Sequence, residues 1–139
     1  MLVIVQLSLI YGDYDIDGIS ATVVMMRGLM AIDKHINSGM QVDYFLPSRF
    51  EEGYGITEKS LERLLKLDPL PELIITVDCG ITASKEIEIL KSKGIDVVVT
   101  DHHEKSENQP KDIALIDPEA EEGDGPNSIL SGSVRRIVG

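Results

Sequence analysis

Apolar residues along this chain fall into two kinds of pattern that alternate. Short unbroken runs rich in Val, Ile and Leu occur at Leu2–Ile10, Val42–Leu46, Leu73–Val77, Val97–Thr100 and Ala114–Ile116. Runs this short, with no polar alternation, predict strands buried on both faces. Between them lie longer stretches of helical character. Ile19–Ala31 is apolar and long enough for a helix, weakened by Gly28. Thr57 can cap a helix over Glu58–Leu67, where Leu61, Leu64 and Leu65 share a face. Thr82 can cap a further helix, with Ile87 and Leu90 inward and Gly94 closing it. Pro47 and the Asp117-Pro118 pair stop the second and last strands. Buried strands separated by helices imply crossover connections, hence an α/β/α three-layer domain with a mainly parallel sheet.

Length and composition narrow the class. At 139 residues the chain suits one domain with a proper core. A single cysteine, Cys79, excludes an internal disulfide and fits a reducing compartment. The apolar start MLVIVQLSLI has no basic region before it and no small-residue cleavage site after it. It is also too short to span a bilayer, so it is read as a strand, and the expected location is cytoplasmic, with no membrane partner. Net charge is −11, and no basic stripe offers a dedicated nucleic-acid grip. Cations bound by acidic residues would account for part of that imbalance.

The acidic residues are not scattered. Asp13, Asp15 and Asp17 follow the first strand, Asp78 follows LIITV, and Asp101, His102 and His103 follow VVVT. Groups just past the carboxyl ends of parallel strands converge on one rim, where ligands bind. In an extended segment Asp13, Asp15 and Asp17 would all point to one side. Three carboxylates that close repel one another unless cations neutralise them. Oxygen ligands with imidazole suit Mn²⁺ or Mg²⁺ better than a cysteine-type zinc site. Gly18 would let the chain turn into the following helix close to a bound phosphate. Two cations bridged by a shared carboxylate could hydrolyse a phosphoester. Taken singly, an acidic cluster after a strand is usually a solvated turn, and it is the conjunction of three that points to a site. His35 lies in a polar stretch and reads as surface. Cys79 reads as a small packed residue, because no basic neighbour favours its thiolate.

These residues carry a resemblance. GDYDIDG (12–18), ITVDCG (75–80) and TDHH (100–103) resemble the first three motifs of the DHH phosphoesterase superfamily. YFLPSRFEEGYGI (44–56), the run GIDVVVTDHHE and ALIDP (114–118) further resemble its RecJ-type single-strand-specific exonucleases. The resemblance implies a Rossmann-like DHH domain over residues 1–118. It implies two divalent cations, Mn²⁺ before Mg²⁺, held by Asp15, Asp17, Asp78, His102 and His103. Asp13 and Asp101 would then orient those ligands, Asp78 being shared between the metals. Arg49 and Tyr54 would contact a single-stranded nucleic acid, DNA favoured. The implied activity is 5′→3′ exonuclease action in DNA repair and recombination. Relatives in the superfamily hydrolyse oligoribonucleotides, cyclic dinucleotides or pyrophosphate.

Departures from the family pattern shape the expectation. Nothing past Asp117 corresponds to the family's fourth motif, and the second, substrate-gripping domain is expected to be absent. Residues 119–139 read as an acidic, Gly-rich loop running into an incomplete element. The chain is thus expected to be a fragment, a split-gene product that meets a partner chain, or a decayed copy that binds metal or a partner without turnover. A haloacid-dehalogenase-type phosphatase, suggested by DIDGIS, would use Asp15 as a covalent nucleophile, but its lysine and later acidic pair are replaced on this rim by DHH. A receiver-like signalling domain would need a lysine at the end of the Ala114–Ile116 strand, and none is there.

Overall fold

A computed structural model describes residues 7–101 and the backbone of residues 114–116. Five strands, β1 (Leu7–Tyr11), β2 (Gln41–Phe45), β3 (Leu73–Val77), β4 (Asp96–Thr100) and β5 (Ala114–Ile116), form one sheet in the order β2-β1-β3-β4-β5. Every neighbouring pair is parallel. Among the described residues, three helices, α1 (Ile16–Ile36), α2 (Glu58–Leu65) and α3 (Ser84–Ser92), make the crossovers that lead from β1 to β4. The predicted α/β architecture is what the chain adopts.

The unbroken apolar runs explain the layering. Leu9, Tyr11, Ile74, Val97 and Val99 face one side, where Leu61 and Leu64 of α2 and Ile87 and Leu90 of α3 cover them. Ile10, Ile75 and Val77 face the other side and pack with Ala21, Met25, Met26 and Leu29 of α1. Successive strand residues point to opposite faces, so a strand covered on both sides is mostly apolar, with Ser8, Thr76 and Thr100 as buried hydroxyls. Strand β2, expected to be buried as well, is largely exposed because it lies at the sheet edge. Register lines Ile10 up with Ile75, and Ile75 with Val98, as one row across the sheet.

Element ends depart from the sequence expectation in instructive ways. The first helix begins at Ile16, three residues before the apolar pattern begins, because the Asp15 side chain accepts the Gly18 N–H at 2.6 Å and caps it. It runs on to Ile36 and ends on Asn37 in the left-handed conformation, φ 53°. Gly28 does not interrupt it. Thr57 caps α2 as expected, in a reciprocal capping box with Ser60. Thr82 does not cap α3: its N-cap is Ala83, with no side-chain hydrogen bond. A turn closed by Ala83 N–H to Gly80 C=O at 3.1 Å leads in instead. Gly94 does close α3, with φ 79°.

No helix among the described residues is long and apolar enough to cross a membrane.

Candidate metal centre

Strand order places the centre. The chain leaves β1 through α1 to reach β2 on one side, then crosses back through α2 to β3 on the other. Helix α1 lies on one face of the sheet and α2 with α3 on the opposite one. The segments after β1 and β3 therefore diverge and leave a crevice between them, the usual ligand site of doubly wound sheets. Asp13 and Asp15 follow β1, and Asp78 follows β3.

Local structure turns these side chains toward one another. Gly12 N–H donates to Phe45 C=O at 3.1 Å, holding the turn after β1 against β2. Gly18 sits so tightly on this turn that a Cβ there would lie 2.5 Å from the Asp13 Cβ and 2.7 Å from its carbonyl oxygen. The Asp13 carboxylate accepts the Tyr14 N–H at 2.7 Å. Asp78 takes a left-handed backbone, φ 61°, and its N–H donates to Thr100 C=O at 3.0 Å. Aspartate tolerates that region better than most residues, and strain of this kind collects at functional sites.

One carboxylate oxygen each from Asp13, Asp15 and Asp78 lie within 4.8 Å of one another. Asp13 and Asp78 are each only 1% exposed. At that separation, two unit charges repel by roughly 3 kcal/mol at an effective dielectric near 20, and three such pairs meet here. Opposite oxygens around a small divalent ion at about 2.1 Å stand roughly 4.2 Å apart, so the spacing and the all-oxygen donor set fit Mg²⁺ or Mn²⁺.

Asp17 lies in the first turn of α1, half-buried, rather than in an extended segment with Asp13 and Asp15. The early helix start is the cause, since alternation of sides ends where the helix begins. It lines an open depression with Tyr14, Asp15, Ile16 and Arg49. Asp13, expected to orient the ligands, has a carboxylate oxygen within 4.8 Å of one from Asp15 and one from Asp78. Asp101 is buried, and its Oδ2 accepts the Ile81 N–H at 3.1 Å, tying the end of β4 to the loop after Asp78. His102 and His103 lie outside the described residues.

Two loop residues reach this centre from the β2–α2 connection. The Arg49 guanidinium lies 5.7 Å from the Tyr14 ring centre. The Tyr54 hydroxyl donates to the Asp78 carbonyl at 3.3 Å. Burial raises the Tyr54 phenol above its ordinary value, and the charges of Asp101 and Asp13 push it further the same way. Cys79 is fully buried, its thiol also raised by burial first and then by Asp101, Asp13 and Asp78. That state disfavours a thiolate, in keeping with a packed residue. His35 is exposed in the last turn of α1.

The DHH family, N-terminal domain, matches residues 8–134. The chain belongs to the DHH family. It is 41% identical over 110 residues to the single-stranded-DNA-specific exonuclease RecJ of Bacillus subtilis, covering 79% of this chain and 13% of that protein. The RecJ of Thermus thermophilus is 39% identical over 106 residues, 76% of this chain and 15% of its own length. A crystal structure of exonuclease RecJ bound to manganese superposes with a TM-score of 0.77 at 32% identity, covering 96% of this chain and 31% of that one. A crystal structure of the Thermus thermophilus RecJ in complex with Mn²⁺ gives 0.65 at 29%, covering 92% and 16%. The chain thus spans between 13% and 31% of the length of these DHH relatives.

One residue with a part in this architecture was not singled out by sequence reasoning. Glu52 is only 8% exposed, though it sits in a polar loop beside an exposed Glu51. Nothing in its local sequence separates it from its neighbour.

Proposed function

We propose that this chain is the metal-binding part of a two-metal phosphodiesterase that degrades single-stranded DNA from its 5′ end, in DNA repair and recombination. The observation that carries the reading is the convergence of Asp13, Asp15 and Asp78 in the crevice between β1 and β3, with Arg49 beside it. The manganese-bound RecJ structures that share this fold support Mn²⁺ as the cation.

On this reading Asp15, Asp17 and Asp78, with His102 and His103, hold the cations, and Asp13 joins or orients that set. Divalent cations bound there supply an activated water near neutral pH and neutralise charge building on the phosphoryl oxygens. The protein's own contributions are distinct. Asp78, whose backbone N–H is bonded to the Thr100 carbonyl, supplies a buried carboxylate from a main chain anchored to the end of β4. Asp101 holds the loop that follows it. Arg49 offers a guanidinium to a phosphate lying in the depression it shares with Asp15 and Asp17. Because the chain is strongly acidic, cations and Arg49 must offset the repulsion of a polyanion.

The test is to load the purified chain with Mn²⁺ and follow 5′-labelled single-stranded DNA, with pyrophosphate as the competing substrate and Asp78→Asn as the control. Release of mononucleotides that Asp78→Asn abolishes supports the reading. Hydrolysis of pyrophosphate alone reassigns the substrate. Manganese binding without turnover makes the chain a metal-binding module whose chemistry needs further protein, and failure to bind Mn²⁺ refutes the site.

A further inference from the structure

The loop joining β2 to α2 carries Arg49 and Tyr54, five residues apart, and both side chains end at the metal centre. Something must hold so polar a segment in one shape. Glu52 lies between them with its carboxylate turned inward. Its Oε1 pairs with Arg63 Nη2 at 2.8 Å and accepts the Ser48 N–H at 3.1 Å. Its own N–H donates to Ser48 C=O at 2.9 Å, and its C=O accepts the Thr57 hydroxyl at 2.8 Å. The same Arg63 nitrogen donates to Leu46 C=O at 2.8 Å, and the guanidinium lies 4.0 Å from the Phe45 ring centre. Phe45 in turn stacks on Tyr11, with ring centres 5.3 Å apart. The loop's first residue, its middle and its last are thereby pinned to α2 and to the sheet.

This is a poor way to add stability. The other carboxylate oxygen of Glu52, Oε2, is buried and makes no hydrogen bond with the described residues. The Glu52 side chain is 6% exposed and that of Arg63 is 51% exposed, so the pair is screened on the arginine side and recovers little of the cost of burying the Glu52 carboxylate. What such a pair does supply is a fixed geometry with direction.

We propose that Glu52 is a positioning residue: through Arg63 it holds the 46–57 loop so that Arg49 and Tyr54 stand over the metal centre. The role rests on the phosphodiesterase reading above. Glu52 touches neither cation nor substrate. It acts by keeping the arginine that meets the phosphate preorganised, which lowers the ordering cost of binding.

The experiment compares wild type with Glu52→Gln and Arg63→Met, and with Arg63→Lys, which keeps the charge facing Glu52. Three quantities are read: Mn²⁺ binding from the free-ion EPR signal, KM and kcat on a 5′-labelled oligonucleotide, and amide hydrogen exchange. Glu52→Gln and Arg63→Met should raise KM by about 10- to 100-fold, the range typical of lost supporting contacts, with kcat and Mn²⁺ affinity nearly unchanged. Exchange at the Ser48 and Glu52 amides should rise by about tenfold or more while β3 and α3 keep their protection. Arg63→Lys should recover part of both effects. Unchanged exchange at Ser48 and Glu52 overturns the proposal, and so does a loss spread over kcat, metal affinity and every element alike. If the wild-type chain binds Mn²⁺ but neither binds nor cuts the oligonucleotide, the chemistry needs further protein, and exchange in the same variants still decides whether the brace exists. If it does not bind Mn²⁺, the metal-site reading fails while exchange decides the brace separately.

Discussion

Helix α1 contains two glycines for which the same substitution has opposite expected consequences. At Gly18, near its start, a Cβ would stand 2.5 Å from the Asp13 Cβ and 2.8 Å from the Asp13 carbonyl carbon. Carbon atoms pack at about 3.5–4.0 Å, so Gly18→Ala requires the helix start and the Asp13 turn to part by about 1 Å or more. Part of that contact is backbone and cannot rotate away. Overpacking of this kind costs about 1–3 kcal/mol. The same movement displaces Asp15, which caps that helix start, relative to Asp13 by several times the roughly 0.2 Å tolerance of a metal site. Manganese affinity is therefore expected to fall about 10- to 100-fold, the penalty of displacing ligands from their supports. At Gly28 a Cβ would meet nothing within 4 Å, and the residue is exposed in the helix interior. Gly28→Ala is expected to stabilise the chain by about 0.5–1 kcal/mol through the backbone freedom it removes from the unfolded state. For a domain of this size 1 kcal/mol moves Tm by about 3–5 °C. The assay is thermal unfolding by circular dichroism without metal, since a bound cation adds its own stabilisation, followed by Mn²⁺ titration of each variant. A Gly18→Ala chain that melts with the wild type and binds Mn²⁺ as tightly would refute the close approach. Equal destabilisation by both substitutions would show that helix propensity, not the Asp13 contact, governs the site.

Two further outcomes test other parts of the structure. The Asp33 carboxylate accepts from Ser38 Oγ and, at 2.9 Å, from the Met40 N–H, so these bonds hold its carboxyl below its ordinary value. A depressed folded value means stability present at neutral pH and lost as pH falls through the acid range, and a carboxyl NMR titration of Asp33 should give a midpoint lower in the folded chain than in urea. Thr57→Ala removes the α2 capping box together with the bond to Glu52 C=O, and should cost about 0.5–2 kcal/mol in urea unfolding. A cost near zero would mean that α2 is held by Leu61 and Leu64 alone.

Much of the fold was legible in the residues because the decisive signal was local. A strand covered on both faces is apolar at nearly every position, and LIITV at 73–77, with Thr76 its one hydroxyl, carries that signal. The Thr57 cap and the αL Gly94 were equally readable, since each depends on the chemistry of one residue. The start of α1 is harder to read, because Asp15 stands in what the sequence presents as an extended acidic segment and also serves as the helix cap. That double use moved Asp17 onto the helix. The Thr82 expectation failed because the backbone turn from Gly80 to Ala83 brings the chain into α3 without a side-chain cap.

Clusters of acidic residues after three strands, and the family motifs that contain them, were properties of the linear chain. Strand order was not. Only the placement of β1 beside β3, with helices on opposite faces, opens the crevice in which Asp13, Asp15 and Asp78 meet. Their convergence depends on contacts between residues far apart in the chain and on a left-handed Asp78 that no spacing rule announces. Glu52 makes the same point from the other side. Two glutamates stand together in the sequence, and the packing of Arg63 across the loop decides which of them is buried. Apolar patterning is set by each residue's own surface and water, whereas the direction of a charged side chain is set by partners that arrive only when the chain has folded.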